Sequence, residues 1–193
     1  LLHGKMDSHE KDKIMQDIIQ LTRDCEVTQI PIGNPIMIPK GTPVRITQSL
    51  GGAYTVVTDH GYMVRISEKD ADALGKETPK QAQNDSAQSL SLEQLVWNQM
   101  KTCYDPEIPV NIVDLGLVYS CDISQLPDGG HKVDVEMTLT APGCGMGEVI
   151  KSDVARKIST IPEVKSVNVA LVWEPQWDQS RMTDAAKLKL NMF

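Results

Sequence analysis

The sequence predicts an α+β protein with a small all-β N-terminal domain and a C-terminal two-layer α-β-β-α-β-α sandwich. Between Cys25 and Ser67, short apolar runs alternate with turns rich in glycine and proline, as they do in small β domains. After residue 90, apolar residues recur alternately with the helical period of 3.6 and the strand period of two. We therefore expect a β domain at 23–75, a linker at 76–90 and an α/β domain at 91–193.

After a tail at residues 1–22, the front of the chain is expected to form short strands. Residues 1–22 form a tail in which the residues before Met6 resemble an expression scar, and the rest fits a short helix or a strand beginning at Ile18. The β domain is expected to be a small open barrel or a sandwich-like sheet. Its proposed strands are Val27–Ile30, Ile36–Ile38, Val44–Thr47, Tyr54–Thr58 and Tyr62–Ile66. The linker has too few apolar residues to order itself.

The second domain begins with a clear helix signal, because Ser91 and Gln94 have the spacing of a capping box. A rigid loop at Asp105–Pro109 ends this helix. The remaining pattern gives a strand from Leu115 to Ile123, a turn near Pro127, a strand from Val133 to Leu139, a helix from Met146 to Ile161, a strand from Val167 to Trp173 and a short helix around Thr183–Leu190.

The strongest chemical signal is the stretch Thr138–Gly147, which joins a predicted strand to a predicted helix. Cys144 lies at this junction between Gly143 and Gly145. The glycines let the backbone turn tightly and bring bare N–H groups close to a bound group. A thiol beside a helix N-terminus is favoured as the reactive thiolate. A buried cysteine that packs the turn is the alternative, but the glycine density favours a functional thiol.

Polar side chains are expected near this thiol. The predicted hairpin places Asp114 opposite Thr140, and the loop that carries Glu107 at the same end of the sheet as Cys144. In the alternative interpretation, Asp114 caps a loop and Glu107 is simply solvated. No histidine partner is expected, because His131 begins the strand that leads to the motif and would lie roughly 30 Å from the thiol.

Composition excludes several function classes. The formal net charge of −7 argues against nucleic acid or an anionic membrane as the main partner. The cysteines Cys25, Cys103, Cys121 and Cys144 have no zinc-ligand spacing, which fits a reducing cytoplasm. We expect Cys103 and Cys121 to be core residues. No apolar run reaches the length of a membrane span, and no signal peptide is evident.

Two stretches closely resemble a known family. They are Asp105–Tyr119, which reads DPEIPVNIVDLGLVY, and Thr138–Gly147, which reads TLTAPGCGMG. The family is the small iron–sulfur-assembly domain shared by the phenylacetate-pathway protein PaaD and the eukaryotic cytosolic iron–sulfur targeting factor. The resemblance covers about residues 90–193. The β-rich front, with Arg23–Cys25 and Thr47–Gly52, is similar to the two-domain bacterial form, SufT.

The resemblance implies a cytoplasmic auxiliary factor for iron–sulfur cluster maturation rather than an enzyme. The motif cysteine maps onto Cys144, a transient iron–sulfur ligand, and the motif acid onto Asp114. Clusters usually need four thiolates, so we expect no tightly bound cluster, but one shared with a second subunit of a homodimer, a small thiol or a client. The implied partners are assembly scaffold or carrier proteins and client apoproteins. The alternative is a thiol-dependent hydrolase or transferase that uses Cys144 as its nucleophile.

Overall fold

The structure is a computed structural model that describes residues 18–77, 90–141 and 143–192. Contacts between residues divide the chain into two compact units. The first comprises Leu1–Ile30 and Asn34–Pro79, and the second comprises Pro31–Gly33 and Lys80–Phe193. Most of the predicted tail and linker lies outside the described residues, so the linker boundaries and the part of the proposed helix at 7–17 stay predictions.

The first unit is a six-stranded antiparallel sheet followed by a 3-10 helix, Glu68–Leu74. Its strands are β1 (Ile18–Gln20), β2 (Cys25–Gln29), β3 (Pro35–Ile38), β4 (Pro43–Leu50), β5 (Ala53–Thr58) and β6 (Met63–Ile66). They lie in the order β1-β4-β5-β6-β2-β3. Ile18 therefore begins a strand, one of the two structures that the sequence allowed there.

Alternation along these strands builds the core of the first unit. Cys25 and Val27 of β2 belong to the same buried core as Val56 of β5 and Val64 of β6, and all four are at most 2% exposed. Side chains at alternate positions face solvent, as the period of two requires. The thiol of Cys25 thus has a packing role in this unit, and burial raises its pKa.

In its described residues, the second unit contains three α-helices, a short 3-10 helix (Gln179–Arg181) and a three-stranded sheet. The elements in chain order are α1 (Leu92–Met100), β7 (Val118–Gln125), β8 (His131–Met137), α2 (Gly147–Ile158), β9 (Val164–Leu171) and α3 (Asp184–Lys189). β7 and β8 form an antiparallel hairpin, and β9 lies parallel to β8 on its other side. Helix α2 makes the β8–β9 crossover and contacts β9 and α1.

The ends of these helices follow the expected local chemistry. Ser91 and Gln94 form both hydrogen bonds of the capping box that begins α1. Thr183 caps α3 by accepting from the N–H of Ala186 at 3.2 Å. Helix α2 ends at Ile158 with Arg156 and Lys157 in its last turn, where cations offset the helix dipole.

The α+β class predicted from the sequence is confirmed, while the two-layer sandwich stays a prediction. The hairpin register differs from the one predicted: Gln125 pairs with His131, so the turn centres near Asp128 instead of Pro127. The pairing also shifts at a β-bulge between Val118 and Ser120. Asp114 lies in a turn before β7, which begins at Val118, so it is not paired with Thr140 in the sheet.

No helix among the described residues is both long and apolar enough to cross a membrane.

Candidate functional site

The glycine-rich loop between β8 and α2 presents Cys144 at the surface. Cys144 is a free, half-buried cysteine, whereas Gly143 and Gly145 are exposed. The Cys144 N–H donates to the carbonyl of Ala141 at 3.4 Å, and the Gly147 N–H donates to the Cys144 carbonyl at 3.1 Å. Gly143 has φ +78°, a left-handed conformation that favours glycine. The main chain on both sides of the thiol is thus held in a defined turn.

Buried residues anchor both ends of this loop. Thr138 and Leu139 follow β8 at 1% and 4% exposure, and Met146 precedes α2 fully buried. Thr140 is half-buried and adjoins the exposed part of the loop. The loop is therefore fixed to the core at both ends, and its thiol-bearing tip is the accessible part.

Asp114 belongs to a tight turn that leads into β7. Its N–H donates to Asn111 Oδ1 at 2.8 Å, and Asn111 Nδ2 donates to Asp114 Oδ2 at 2.6 Å. At the end of this turn, the carbonyl of Leu117 accepts from the N–H of Thr138 at 2.8 Å. The carboxylate thus stabilises a turn. That turn is hydrogen-bonded directly to the segment that leads to Cys144.

The loop before this turn contains a buried carboxyl group at Asp105. Its Oδ1 accepts from the N–H groups of Glu107 and Ile108 at 2.8 and 3.0 Å. Burial raises the pKa of Asp105, and the two backbone hydrogen bonds partly oppose that rise. Glu107, the acid selected from the sequence, is exposed. Sequence reasoning missed Asp105, although an aspartate directly before proline is a signal for a side-chain-capped turn.

Topology brings the two motif segments to one end of the sheet. β7 and β8 are antiparallel, so the loop that enters β7 and the loop that leaves β8 lie at the same end. His131 is the first residue of β8, so the strand separates it from the Cys144 loop. The joint action of Asp114, Glu107 and Thr140 on the thiol stays a prediction.

The other three cysteines are fully buried or have a raised thiol pKa. Cys25 and Cys103 are fully buried. Cys121 lies in the middle of β7, and burial raises the pKa of its thiol to about 11. Among the residues that the structure describes, no group of three or more His, Cys, Asp or Glu side chains could hold a metal ion. Cys121 and Cys144 are both half-buried, and Cys144 is the one on the motif loop, where its sulfur is a donor suited to a soft metal or to a covalent bond.

Comparison with known proteins places this site in a family. Residues 93–171 match the sequence profile described as "Iron-sulfur cluster assembly protein". A Porphyromonas gingivalis protein, "Fe-S protein maturation auxiliary factor", is 43% identical over 101 residues, which cover 52% of this chain and 92% of that protein. The chain belongs to the iron–sulfur cluster assembly family. The resemblance read from the two motif stretches is thereby confirmed.

Other relatives also match about half of the chain. "Fe-S protein maturation auxiliary factor SufT" of Staphylococcus aureus is 39% identical over 88 residues, covering 46% of this chain and 96% of that protein. A Bacillus subtilis factor, YitW, is 35% identical over 102 residues, covering 53% and 96%. A solved structure of a domain of unknown function, DUF59, from Bacillus anthracis is 37% identical, covers 53% of this chain and 93% of its own, and has a TM-score of 0.46.

Proposed function

We propose that this protein is an auxiliary factor in iron–sulfur protein maturation and that it acts through Cys144. The observation that carries the proposal is the half-buried, free thiol on a glycine-rich loop anchored by buried residues at both ends. The names of the family relatives, which describe maturation auxiliary factors, support the same role. In this role the protein assists other proteins and turns over no small-molecule substrate.

Ligand counting favours a cluster that is cargo and not a resident cofactor. An iron–sulfur cluster is usually held by four thiolates. Cys25 and Cys103 are fully buried, and burial raises the pKa of the half-buried Cys121 to about 11, which makes its thiolate much scarcer than that of an ordinary thiol. Cys144 alone is available, so further ligands must come from a client, a carrier, a small thiol or a second copy of the chain.

Transfer through Cys144 is a ligand exchange without a change in oxidation state. A client thiol loses its proton and bonds to an iron atom of the cluster. The iron–sulfur bond to Cys144 breaks, and the Cys144 thiolate takes up a proton. Because one thiolate replaces another, the exchange needs no oxidant or reductant. A cluster bound by only one cysteine of this chain is also released more readily than one bound by four.

The partners that suit this site are proteins that carry their own cysteine ligands. Scaffold or carrier proteins would deliver the cluster, and client apoproteins would receive it in the cytoplasm. A homodimer would bring two Cys144 thiols to a cluster, still short of four, so a third source of ligands would be needed. Because Cys144 is the one cysteine of the motif loop, partner proteins would complete the site.

Complementation tests this proposal. In a strain that lacks the protein, wild type, Cys144→Ala and the matched control Cys121→Ala are expressed at equal abundance. The activity of a 4Fe–4S dehydratase is then compared with the amount of its polypeptide. We expect Cys144→Ala to behave like the deletion and Cys121→Ala like wild type.

Two results would contradict the proposal. One is full dehydratase activity with Cys144→Ala at wild-type abundance. The other is a stable acyl adduct on Cys144 in wild-type protein isolated from cells, because that adduct marks a nucleophilic enzyme.

A further inference from the structure

The segment 175–183, which we call the strap, follows β9 and returns to the turn that contains Asp114. The family profile ends at Leu171, so the strap lies beyond the part of the chain that it describes. The Trp177 indole N–H donates to the main-chain carbonyl of Leu115 at 2.8 Å. The Thr183 N–H donates to the main-chain carbonyl of Asp114 at 2.9 Å. Two consecutive carbonyls of the motif turn therefore accept hydrogen bonds from the strap.

Two further contacts join the strap to the start of β7. The Tyr119 hydroxyl donates to the carbonyl of Pro175 at 2.7 Å. The guanidinium carbon of Arg181 lies 4.4 Å from the centroid of the Tyr119 ring, a cation–π contact. The strap thus contacts both the turn and the strand that the turn enters.

Gly116 allows the strap to come this close. Its φ is +70°, and a Cβ atom at this position would lie 2.3 Å from the main-chain oxygen of Arg181. Real Cβ atoms do not approach an oxygen so closely, so any other residue would displace the backbone of the strap or of the turn. The close approach of two main chains requires glycine here.

We infer that the strap holds the Asp114 turn in the position that the Cys144 loop needs in order to function. Trp177 is the main positioning residue of the strap. The connection runs through three hydrogen-bonded segments. Trp177 holds Leu115, the turn ends at Leu117, and the Leu117 carbonyl accepts from Thr138 at the base of the Cys144 loop. The inference rests on the proposed function, because it assigns the strap a role at that same site.

The test uses tryptophan variants of the full chain. Trp177→Phe removes the indole N–H and keeps an aromatic ring, while the matched control Trp173→Phe changes a tryptophan that is 44% exposed and lies outside the strap. Hydrogen exchange is measured for the amides of Leu115 and Leu117. A net hydrogen bond of about 1 kcal/mol predicts roughly fivefold faster exchange in Trp177→Phe, with exchange in α2 unchanged.

A second measurement separates a positioning role from a merely structural one. Dehydratase maturation is assayed for both variants beside Cys144→Ala. We expect Trp177→Phe to lower maturation at wild-type abundance, and Trp173→Phe to leave it unchanged. If Trp177→Phe does not fold, Tyr119→Phe, which loses only the hydroxyl bond to Pro175, replaces it.

The outcomes are distinguishable. Full maturation with a loosened turn in Trp177→Phe, while Cys144→Ala is inactive, overturns the strap inference and leaves the proposed function intact. Unchanged exchange at Leu115 and Leu117 also overturns the inference. Full maturation with Cys144→Ala overturns the proposed function itself.

Discussion

The Lys157 ammonium group, near the end of α2, donates to the main-chain carbonyl of Thr102 at 2.6 Å. Thr102 lies two residues beyond Met100, the last residue of α1. The Lys157 side chain is 7% exposed, and its Nζ also lies 3.7 Å from Asp153 Oδ2. A buried cation of α2 thus binds the segment directly after α1 and joins the two helices.

We predict that Lys157→Met destabilises the second unit by about 1–3 kcal/mol, because it leaves a carbonyl without its charged donor. The matched control is Lys151→Met, whose partner Glu148 is largely exposed, and its effect should stay within about 0.5 kcal/mol. All three tryptophans, Trp97, Trp173 and Trp177, belong to the second unit, so urea unfolding followed by tryptophan fluorescence reports on it. Equal losses in the two variants would contradict the prediction.

Gly116→Ala is expected to destabilise the second unit more than Gly129→Ala does. Both glycines have positive φ, +70° and +85°, so alanine is strained at each by about 1–2 kcal/mol. Only at Gly116 does the added Cβ meet a backbone atom, the Arg181 oxygen at 2.3 Å, whereas at Gly129 nothing lies within 4 Å. We expect a total loss of about 3 kcal/mol or more at Gly116. The urea midpoints of the two variants measure the difference, and equal midpoints would show that the strap can move aside without cost.

The sequence predicted the helices and strands of the second unit well where periodicity and caps agree. Ser91 and Gln94 determine the start of α1, and alternation through Val133 and Val135 determines β8. The hairpin register could not be predicted as closely. A bulge adds one residue to a strand without leaving a trace in its composition, and the turn is centred one residue later than Pro127 suggests.

Only part of the candidate site can be inferred from the sequence, because several of its features depend on the fold and not on a local pattern. Cys144 carries its own local signal of glycines before a helix, so its position was accessible from the sequence. The burial of Asp105 and the exposure of Glu107 depend on which side of a loop faces the core, and no period reveals that. The Trp177–Leu115 bond joins residues 62 positions apart, a pairing that one sequence cannot supply.

Alkylation of Cys121 should depend steeply on pH well above neutrality. Burial raises its thiol pKa from 9.0 to about 11, so at pH 8 its thiolate is roughly a hundredfold scarcer than that of an unperturbed thiol. The raised pKa means that the folded state favours the protonated thiol, and the associated stability is lost as the pH rises from about 9 through 11. Iodoacetamide rates measured from pH 7 to 11 should still be rising at pH 10. A plateau near pH 9 would show that the thiol is not desolvated.

Cys144 should be the fastest of the four cysteines to react with iodoacetamide in the folded protein at pH 7.5. Cys25 and Cys103 are fully buried, and the raised pKa of Cys121 suppresses its thiolate, so each competitor is disfavoured by a separate cause. Cys144 is half-buried on the glycine-rich loop and is not a core residue, so we expect iodoacetamide to reach its sulfur.

Peptide mass spectrometry after short labelling gives the order of reaction, and labelling in concentrated urea provides the control in which all four cysteines become accessible. We expect the rate of Cys144 to exceed that of each other cysteine at least tenfold before unfolding, and the rates to converge in urea, because burial is the cause of the difference. If Cys25 or Cys103 labels as fast as Cys144 under native conditions, local opening exposes the core on the labelling timescale. Burial could then no longer explain a preference for Cys144 over the other cysteines.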